Sequence, residues 1–202
     1  MSAKVECDIK ARDDKFTFKK DMKIRLLVDP SRETLDAYYN RKGRNVEFDV
    51  VLFIADCLIM ILEFLEENSI VHRDLNLQSL GIFSDCYVKL IDFRLASFNT
   101  GVLNFHCGPK MYMAPEMIMM ERYWRALDVW SAGITLYLLC LGGSPYAYDT
   151  KNVEEYQRNV TNADRIKIKT THEKRDLCDL IERMLEKDPK KESEVTPKEY
   201  RK

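Results

Sequence analysis

The segment from Phe48 to Asn68 limits the possible folds more than any other part of the chain. Apolar residues recur there at helical spacing, and acidic residues share the opposite side. The apolar positions are Val50, Val51, Ile54, Leu58, Ile61, Leu62 and Leu65, and the acidic ones are Asp56, Glu63 and Glu67. The pattern predicts one long amphipathic helix. Because Asp56 and Glu63 interrupt the apolar run, we expect a buried helix of a soluble protein, not a membrane span.

Shorter patterns predict the elements around this helix. β-like pieces at 70–71, 81–83 and 87–91 predict a small hairpin whose turn lies at Ser84 and Asp85. The almost wholly apolar run 134–141 predicts a central helix, and residues 94–116 lack periodicity and predict a long loop. A last stripe at 177–185 predicts another helix, with Thr170 and Glu173 as a possible capping box and a stop at Asp188 and Pro189.

Composition excludes several classes of function. The chain has 202 residues, 46% of them apolar, which is enough for one domain with a real core. Its 32 basic and 33 acidic residues nearly cancel, so no nucleic-acid or membrane partner is expected. Six widely spaced cysteines without a metal-ligand pattern, and a charged start without a signal peptide, predict reduced thiols in a cytoplasmic or nuclear protein.

Four motifs then follow one another in a fixed order. They are HRDL at 72–75, DFR at 92–94, MAPE at 113–116 and DVWSAG at 128–133. This series resembles the signature set of the large C-terminal lobe of protein kinases. The resemblance implies a mainly α fold with a small β-hairpin, and an N-terminal lobe that is absent or reduced to one or two strands.

The resemblance divides the chain into three parts. Residues 1–22 are an N-terminal extension or a remnant small-lobe strand, residues 23–190 the kinase-like large lobe, and residues 191–202 a charged C-terminal tail. No glycine-rich loop and no VAIK-like lysine strand precede the large lobe. Alternating apolar residues at 16, 18, 24, 26 and 28 predict strands that either recruit a partner or cover the large lobe.

A finer resemblance is to polo-like kinases of the centriole-duplication branch. Leu77 stands where polo-like enzymes have Leu, and CGPKMYMAPE at 107–116 is similar to their CGTPxYxAPE pattern. DTKNVEEY at 149–156 is similar to the start of their next helix. This branch implies a centrosomal location as one alternative to the cytoplasm and nucleus.

The superfamily resemblance assigns roles to three residues. Asp74 occupies the position of the catalytic base, which accepts the proton of the substrate hydroxyl. Asp92 occupies the position that holds Mg²⁺ against the nucleotide phosphates. Arg73 resembles the arginine that contacts a phosphorylated activation loop, which makes Ser97 or Thr100 a candidate regulatory site.

Three nucleotide-site positions depart from the family pattern. Ser79 replaces the Asn that is the second Mg²⁺ ligand, and a neutral hydroxyl is a poorer oxygen donor. Asn76 replaces the lysine that contacts the transferred phosphate. Gly81 replaces the apolar residue beneath the adenine ring, so we expect an empty space in the nucleotide floor. Binding of Mg-ATP is therefore doubtful, and no other cofactor is expected.

Other departures affect the two carboxylates and their surroundings. Arg94 replaces the glycine of the DFG motif, and we expect it to act as an internal counter-ion for Asp92. Pro109 and Lys110 replace the Thr and Pro of the substrate-facing loop, so Asp74 is expected to lose an orienting partner. Glu192 replaces the arginine that pairs with Glu116, which must then find another cation or lie exposed.

These residues leave three hypotheses open. The first is a catalytically impaired pseudokinase that acts by binding a protein, such as a full-length kinase or a kinase substrate. The second is a polo-like Ser/Thr protein kinase that transfers the ATP γ-phosphate to protein hydroxyls. The third is a decayed kinase fragment without function. Because positioning supplies most of the catalysis in phosphoryl transfer, the missing parts favour the first.

Overall fold

A computed structural model describes most of the chain. It covers the backbone of Ala3–Cys7 and Ile24–Val28 and residues 31–98, 107–119, 126–146, 148–149, 151–162 and 166–187. The described strands are β1 (Ala3–Cys7), β2 (Ile24–Val28), β3 (Glu33–Thr34), β4 (Ile70–Val71), β5 (Leu80–Ile82), β6 (Val88–Leu90) and β7 (Ser97–Phe98). The described α-helices are α1 (Leu35–Arg41), α2 (Phe48–Glu67), α3 (Pro115–Ile118), α4 (Ala126–Leu141), α5 (Val153–Asn162) and α6 (Arg175–Met184).

The strands form three small antiparallel sheets. β1 pairs with β2 in a register that places Val5 opposite Leu26. β5 lies between β3 and β6, and β4 pairs with β7. The predicted hairpin is confirmed as β5 and β6, whose turn is closed by a hydrogen bond from Phe83 N to Tyr87 O of 3.0 Å. This hairpin carries the chain from the HRDL motif to the DFR motif.

Helices α2 and α4 form the centre of the core. The predicted long helix is confirmed from Phe48 to Glu67, and its buried face includes Ile54, Leu58 and Leu62. Helix α4 confirms the central helix predicted from residues 134–141, because nearly all of its side chains are buried. Trp130 of α4 stacks on Tyr146 with ring centroids 6.0 Å apart. One hydrophobic cluster extends from Leu35 to Leu185.

The first helix begins at a side-chain cap. Thr34 Oγ1 accepts a hydrogen bond from the backbone N–H of Ala37 at 3.1 Å, which satisfies one of the free N–H groups at the helix start. Leu35 and Tyr39 of α1 are buried against the core. β3 therefore leads directly into a helix that lies beside β5.

The last helix differs from the sequence prediction. A 3₁₀ turn at His172–Lys174 precedes α6, and its N-cap, Thr171, makes no side-chain capping bond. The capping box at Thr170 and Glu173 is therefore wrong, because the chain enters the helix through a tighter turn. Helix α6 ends at Met184, several residues before the predicted stop at Asp188 and Pro189, which lie outside the described residues along with the tail.

The region predicted as a long loop, residues 94–116, contains short elements. Ser97 and Phe98 form β7, a 3₁₀ turn spans Lys110–Tyr112, and Pro115 begins α3. These elements are too short for periodicity to predict.

Phe16 and Phe18 of the alternating N-terminal pattern lie outside the described residues. Within the described part of the chain, no helix combines the length and apolar character needed to cross a membrane.

Helix α4 approaches α6 closely at Gly133. A Cβ atom built on Gly133 would lie 2.9 Å from Met184 Cβ and 3.0 Å from a methyl group of Leu185, both of them buried. Distances this short require the two helices to move apart.

We therefore expect Gly133→Ala to lower the free energy of unfolding by about 1–3 kcal/mol through overpacking. Gly143→Ala is the matched control, because nothing lies within 4 Å of its added Cβ. We expect the control to change stability by less than about 0.5 kcal/mol. Urea denaturation of both variants measures this difference, and equal stabilities would contradict the close approach.

Candidate catalytic site

A buried carboxylate of α4 holds the backbone of the HRDL motif. Asp128 accepts hydrogen bonds from His72 N at 2.7 Å and from Arg73 N at 2.8 Å. Burial raises the pKa of Asp128 to about 6, while these two N–H groups act in the opposite direction. Asp128 therefore ties the catalytic loop to the central helix. Arg73 has a φ of +66°, a left-handed conformation that this tie helps to maintain.

His72 links this loop to the DFR motif. The side chain of His72 is buried, and its Nε2 donates a hydrogen bond to the backbone oxygen of Asp92 at 2.5 Å. Its ring also contacts the Phe93 ring edge-on, at a centroid distance of 5.2 Å. Burial lowers the pKa of His72. His72 thus packs inside the protein, whereas Phe93 keeps about two-fifths of its surface exposed.

The side chain of Asn76 is the orienting partner of Asp74. Its Nδ2 donates hydrogen bonds to Asp74 Oδ1 at 2.7 Å and to the Asp74 backbone oxygen at 2.8 Å. Asn76, two positions further along the same loop, therefore orients Asp74. The loss of the Thr that Pro109 replaces stays a prediction.

Ser79 closes the catalytic loop from the other side. Its Oγ donates to the backbone oxygen of Asn76 at 3.1 Å and accepts from Asn76 N at 3.0 Å. Asn76 Oδ1 in turn accepts hydrogen bonds from the backbone N–H groups of Gln78 and Ser79. Because Asn76 and Ser79 are both buried, these polar groups are satisfied within the loop instead of facing a ligand.

The carboxyl group of Asp74 is partly shielded from water. Burial raises its pKa, and the negative charge of Asp92 raises it further. Arg94 and the Asn76 hydrogen bond act in the opposite direction. The structure thus places Asp74 and Asp92, the two carboxylates predicted from the sequence, close enough to influence each other electrostatically.

Arg94 forms an ion pair with Asp92, as the sequence predicts. The guanidinium Nη2 lies 2.6 Å from Asp92 Oδ2, and Nε lies 3.0 Å from Oδ1. The backbone N–H of Arg94 also donates to Oδ1 at 3.0 Å. Hydrogen bonds from the Arg94 side chain hold the pKa of Asp92 below its ordinary value, against the effect of burial. Both oxygens of this carboxylate are therefore engaged by one side chain.

The space beside Gly81 is filled, not empty. A Cβ atom built on Gly81 would lie 2.7 Å from Ile91 Cγ2 and 2.8 Å from Ser31 Cβ. The expected gap in the nucleotide floor is wrong, because two side chains from the adjacent segments occupy the volume that a larger residue at 81 would take. Ile91 and Ser31 could not be found from the sequence, since neither belongs to a motif.

The segment at Cys107–Pro109 lies directly against the catalytic loop. Gly108 has a φ of +81°, and a Cβ there would lie 2.9 Å from the backbone oxygen of Arg73 and 3.3 Å from Asp74 Oδ1. Only a glycine permits both the backbone angle and the approach. Sequence reasoning missed this contact, although the Gly-Pro pair at 108–109 was a signal for a turn.

Arg73 contacts the segment that follows the DFR motif. Its Nε donates a hydrogen bond to the backbone oxygen of Leu95 at 2.6 Å. The candidate regulatory residue Ser97 lies nearby in β7, where its hydroxyl donates to Phe98 O. Thr100 lies outside the described residues. Glu116 of α3 is buried, which excludes the alternative in which it lies exposed.

Comparison with known families identifies the chain. A model of the protein kinase domain matches residues 15–197, which is most of the sequence. The chain belongs to the protein kinase domain family. The motif order, the mainly helical fold and the pair of carboxylates at Asp74 and Asp92 agree with this assignment.

Curated relatives of this kinase domain are Ser/Thr kinases. The chain is 36% identical over 135 residues to a serine/threonine-protein kinase KIN1 homolog of Encephalitozoon cuniculi, covering 65% of this chain and 23% of the relative. It is 42% identical over 96 residues to the kinase TIO of Arabidopsis thaliana, covering 46% and 7%. It is 35% identical over 129 residues to the kinase PLK4 of Drosophila willistoni, covering 62% and 16%. The chain thus spans less than a quarter of each of these relatives.

The groups of this kinase domain that would hold magnesium bond to other protein groups. Kinases hold Mg²⁺ with the DFG Asp and a catalytic-loop Asn, and they need open oxygen ligands. Here Arg94 bonds to both oxygens of Asp92, and the buried Ser79 hydroxyl makes hydrogen bonds with the loop backbone. Among the described residues, no group of three or more His, Cys, Asp or Glu side chains could hold a metal ion.

We expect Asp128→Asn to lower the free energy of unfolding by about 1–3 kcal/mol, because an amide N–H₂ cannot accept one of the two backbone hydrogen bonds. Chemical denaturation above about pH 7, where Asp128 is ionised, measures the change. Asp179→Asn on the exposed side of α6 is the control and should be nearly neutral. A loss no greater than that of the control would show that the tie does not stabilise the loop.

Arg94→Leu should alter the acid dependence of stability. Because the folded-state pKa of Asp92 is depressed, the ion pair stabilises the fold above the ordinary Asp pKa and loses this contribution as pH falls through the lower folded value. We therefore expect stability to fall less steeply in the variant than in the wild type between about pH 4 and pH 2. Urea unfolding at a series of pH values measures the two slopes. Arg158→Leu, an exposed change on α5, should leave the slope unchanged.

Proposed function

We propose that this kinase domain is a pseudokinase that does not transfer phosphate and acts by binding another protein. The observation that carries this proposal is the ion pair between Arg94 and Asp92. Phosphoryl transfer depends on positioned phosphates and on metal ions that neutralise developing charge. A guanidinium bound to the metal-position carboxylate competes with a metal ion for the same oxygens.

Two further contacts support the same proposal. Asn76 Nδ2 binds the Asp74 carboxylate instead of providing the cation that a lysine would place beside a phosphate. Ile91 and Ser31 crowd the position beneath the adenine site, so a larger apolar residue at 81 would not fit. The scaffold is retained while several positions of the nucleotide site are altered, which supports a role in binding rather than in catalysis.

The finer assignments are also proposals. Leu77, the segment at 107–116 and similarity to the Drosophila willistoni kinase support membership of the polo-like branch. Pairing of β1 with β2 is compatible with an N-terminal lobe reduced to two strands. The partner that fits this reading is a full-length kinase or a kinase substrate, in the cytoplasm, the nucleus or at the centrosome.

One observation favours the alternative of a Ser/Thr protein kinase. Asp74 keeps both the position of the catalytic base and a hydrogen bond from Asn76 that orients its carboxylate. Burial also raises its pKa, which moves the group toward the range of a general base. In this alternative, Arg94 would have to leave Asp92 when magnesium and ATP bind.

Thermal unfolding of residues 1–202 with and without millimolar Mg-ATP distinguishes the two functions. We expect no change in the unfolding temperature, because the residues that would anchor the metal are engaged. A ligand at a hundred times its Kd would add about 2.7 kcal/mol of stability, an effect that the experiment easily detects. An upward shift that disappears in Asp92→Ala would contradict the pseudokinase proposal.

Incorporation of labelled phosphate into protein substrates is the second readout. We expect none above background, and any background should be equal in Asp92→Ala because it comes from contaminants. Incorporation that this substitution abolishes would establish the kinase alternative. Failure of the chain to recover any kinase or kinase substrate from cell extract would contradict the proposed partner class.

A further inference from the structure

Helix α2 exposes large apolar side chains along its outer side. Four of them are more than a third exposed: Leu52 at 40%, Phe53 at 39%, Met60 at 41% and Phe64 at 54%. The sequence pattern assigned the apolar residues of this helix to the core and its outer side to acidic residues. The structure shows that the outer side is both acidic and apolar.

Five of these outer residues lie in one row. Asp49, Phe53, Asp56, Met60 and Phe64 are spaced three or four positions apart, and all are exposed, so they share one side of α2. We call this row the α2 face. From its first to its last residue the helix rises about 22 Å, roughly four turns. Two acidic and three apolar side chains are thus interspersed along this length.

The hairpin between β5 and β6 extends the α2 face. Tyr87 is 47% exposed, and its ring centroid lies 5.7 Å from that of Phe53. The neighbouring Lys89 is paired with Asp85 at 2.5 Å, so the turn adds no uncompensated positive charge. Phe53 and Tyr87 thus widen the apolar surface at the first half of the α2 face.

The charge of α2 limits the class of ligand. Both charged residues of the α2 face, Asp49 and Asp56, are acidic, and α2 contains no Lys, Arg or His. Phosphate-rich ligands, such as nucleic acids and anionic membrane surfaces, are repelled by such a surface. Self-association through this side is also disfavoured, because a two-fold contact would place the same carboxylates opposite each other. A partner that buries the face must bring positive charge.

We infer that the α2 face is a docking site for a basic, amphipathic helical segment of another protein. Apolar side chains of that segment contact Phe53, Met60 and Phe64, and its Lys or Arg side chains lie opposite Asp49 and Asp56. A long, straight row of side chains suits a partner helix, which presents apolar residues at the same spacing. This inference rests on the proposed protein-binding function and specifies the chemistry of the partner.

Fluorescence anisotropy with a designed peptide tests the inference on the full chain. The probe is a helical peptide of about 18 residues with Leu at the i, i+3, i+4 and i+7 positions and Lys beside them. We expect it to bind at physiological ionic strength, and to bind at least about tenfold more tightly than the same peptide with Glu in place of Lys. Equal binding of the two peptides, or no binding, would overturn the inference.

Two pairs of matched variants locate the binding surface. Met60→Ser and Asp56→Lys should each weaken binding by about tenfold, the first through lost apolar contact and the second through repulsion. Met119→Ser and Glu154→Lys make the same changes at exposed positions outside α2, and they should alter binding by less than about twofold. Because Met60 and Asp56 are exposed, circular dichroism should show intact folding. Equal effects of the two pairs would overturn the inference.

Two other occupants of the α2 face, a second copy of the chain and an anionic membrane surface, would give different results. A dimer of the chain that Met60→Ser dissociates in sedimentation velocity, or binding to phosphatidylserine vesicles that requires the α2 face, would overturn the proposed partner class. The outcome is separable from that of the pseudokinase proposal, which depends on Mg-ATP and phosphate transfer. A domain that binds nucleotide can still dock the basic peptide, and a domain that ignores nucleotide can fail to dock it.

Discussion

The carboxylate of Asp128 is the interaction on which the site depends. It lies on α4, the most deeply buried helix, and accepts the backbone N–H groups of His72 and Arg73. These two bonds fix the start of the catalytic loop against the core, so the loop that follows can place Asp74, and His72 can reach the backbone of Asp92. A buried charge is tolerated here because two donors satisfy it.

The hydrogen bonds to Asp128 are retained, and the substitutions in the site change contacts only among neighbouring residues. Arg94 forms an ion pair with Asp92. Asn76 and Ser79 are hydrogen-bonded to each other, and Asn76 also donates a hydrogen bond to Asp74. Each of these substituted side chains thus bonds to another group of the protein instead of to a ligand. Under the proposed pseudokinase function, the residues that stabilise the loop no longer hold a metal ion and phosphates, so that a preserved fold does not imply a preserved reaction.

Sequence reasoning predicted the elements whose patterns are long or whose motifs are local. Helices α2 and α4 and the hairpin follow from periodicity, and the pair of Arg94 with Asp92 follows from two residues that lie two positions apart in one motif. Sequence reasoning did not find contacts that are made by loop residues or by residues distant in the sequence. The space beside Gly81 is filled by Ile91 and Ser31, and the partner of Asp74 is Asn76, a residue that the family pattern placed beside phosphate.

The sequence by itself determined the family, the central helices and the positions of both site carboxylates, because order of motifs and apolar spacing are properties of the chain. Only the tertiary structure decided which side chains satisfy one another, since that depends on how segments approach in space. It also decided which apolar residues of α2 remain at the surface. Helical spacing shows that residues share a side of a helix, but only packing against α4 and the hairpin determines which side is covered.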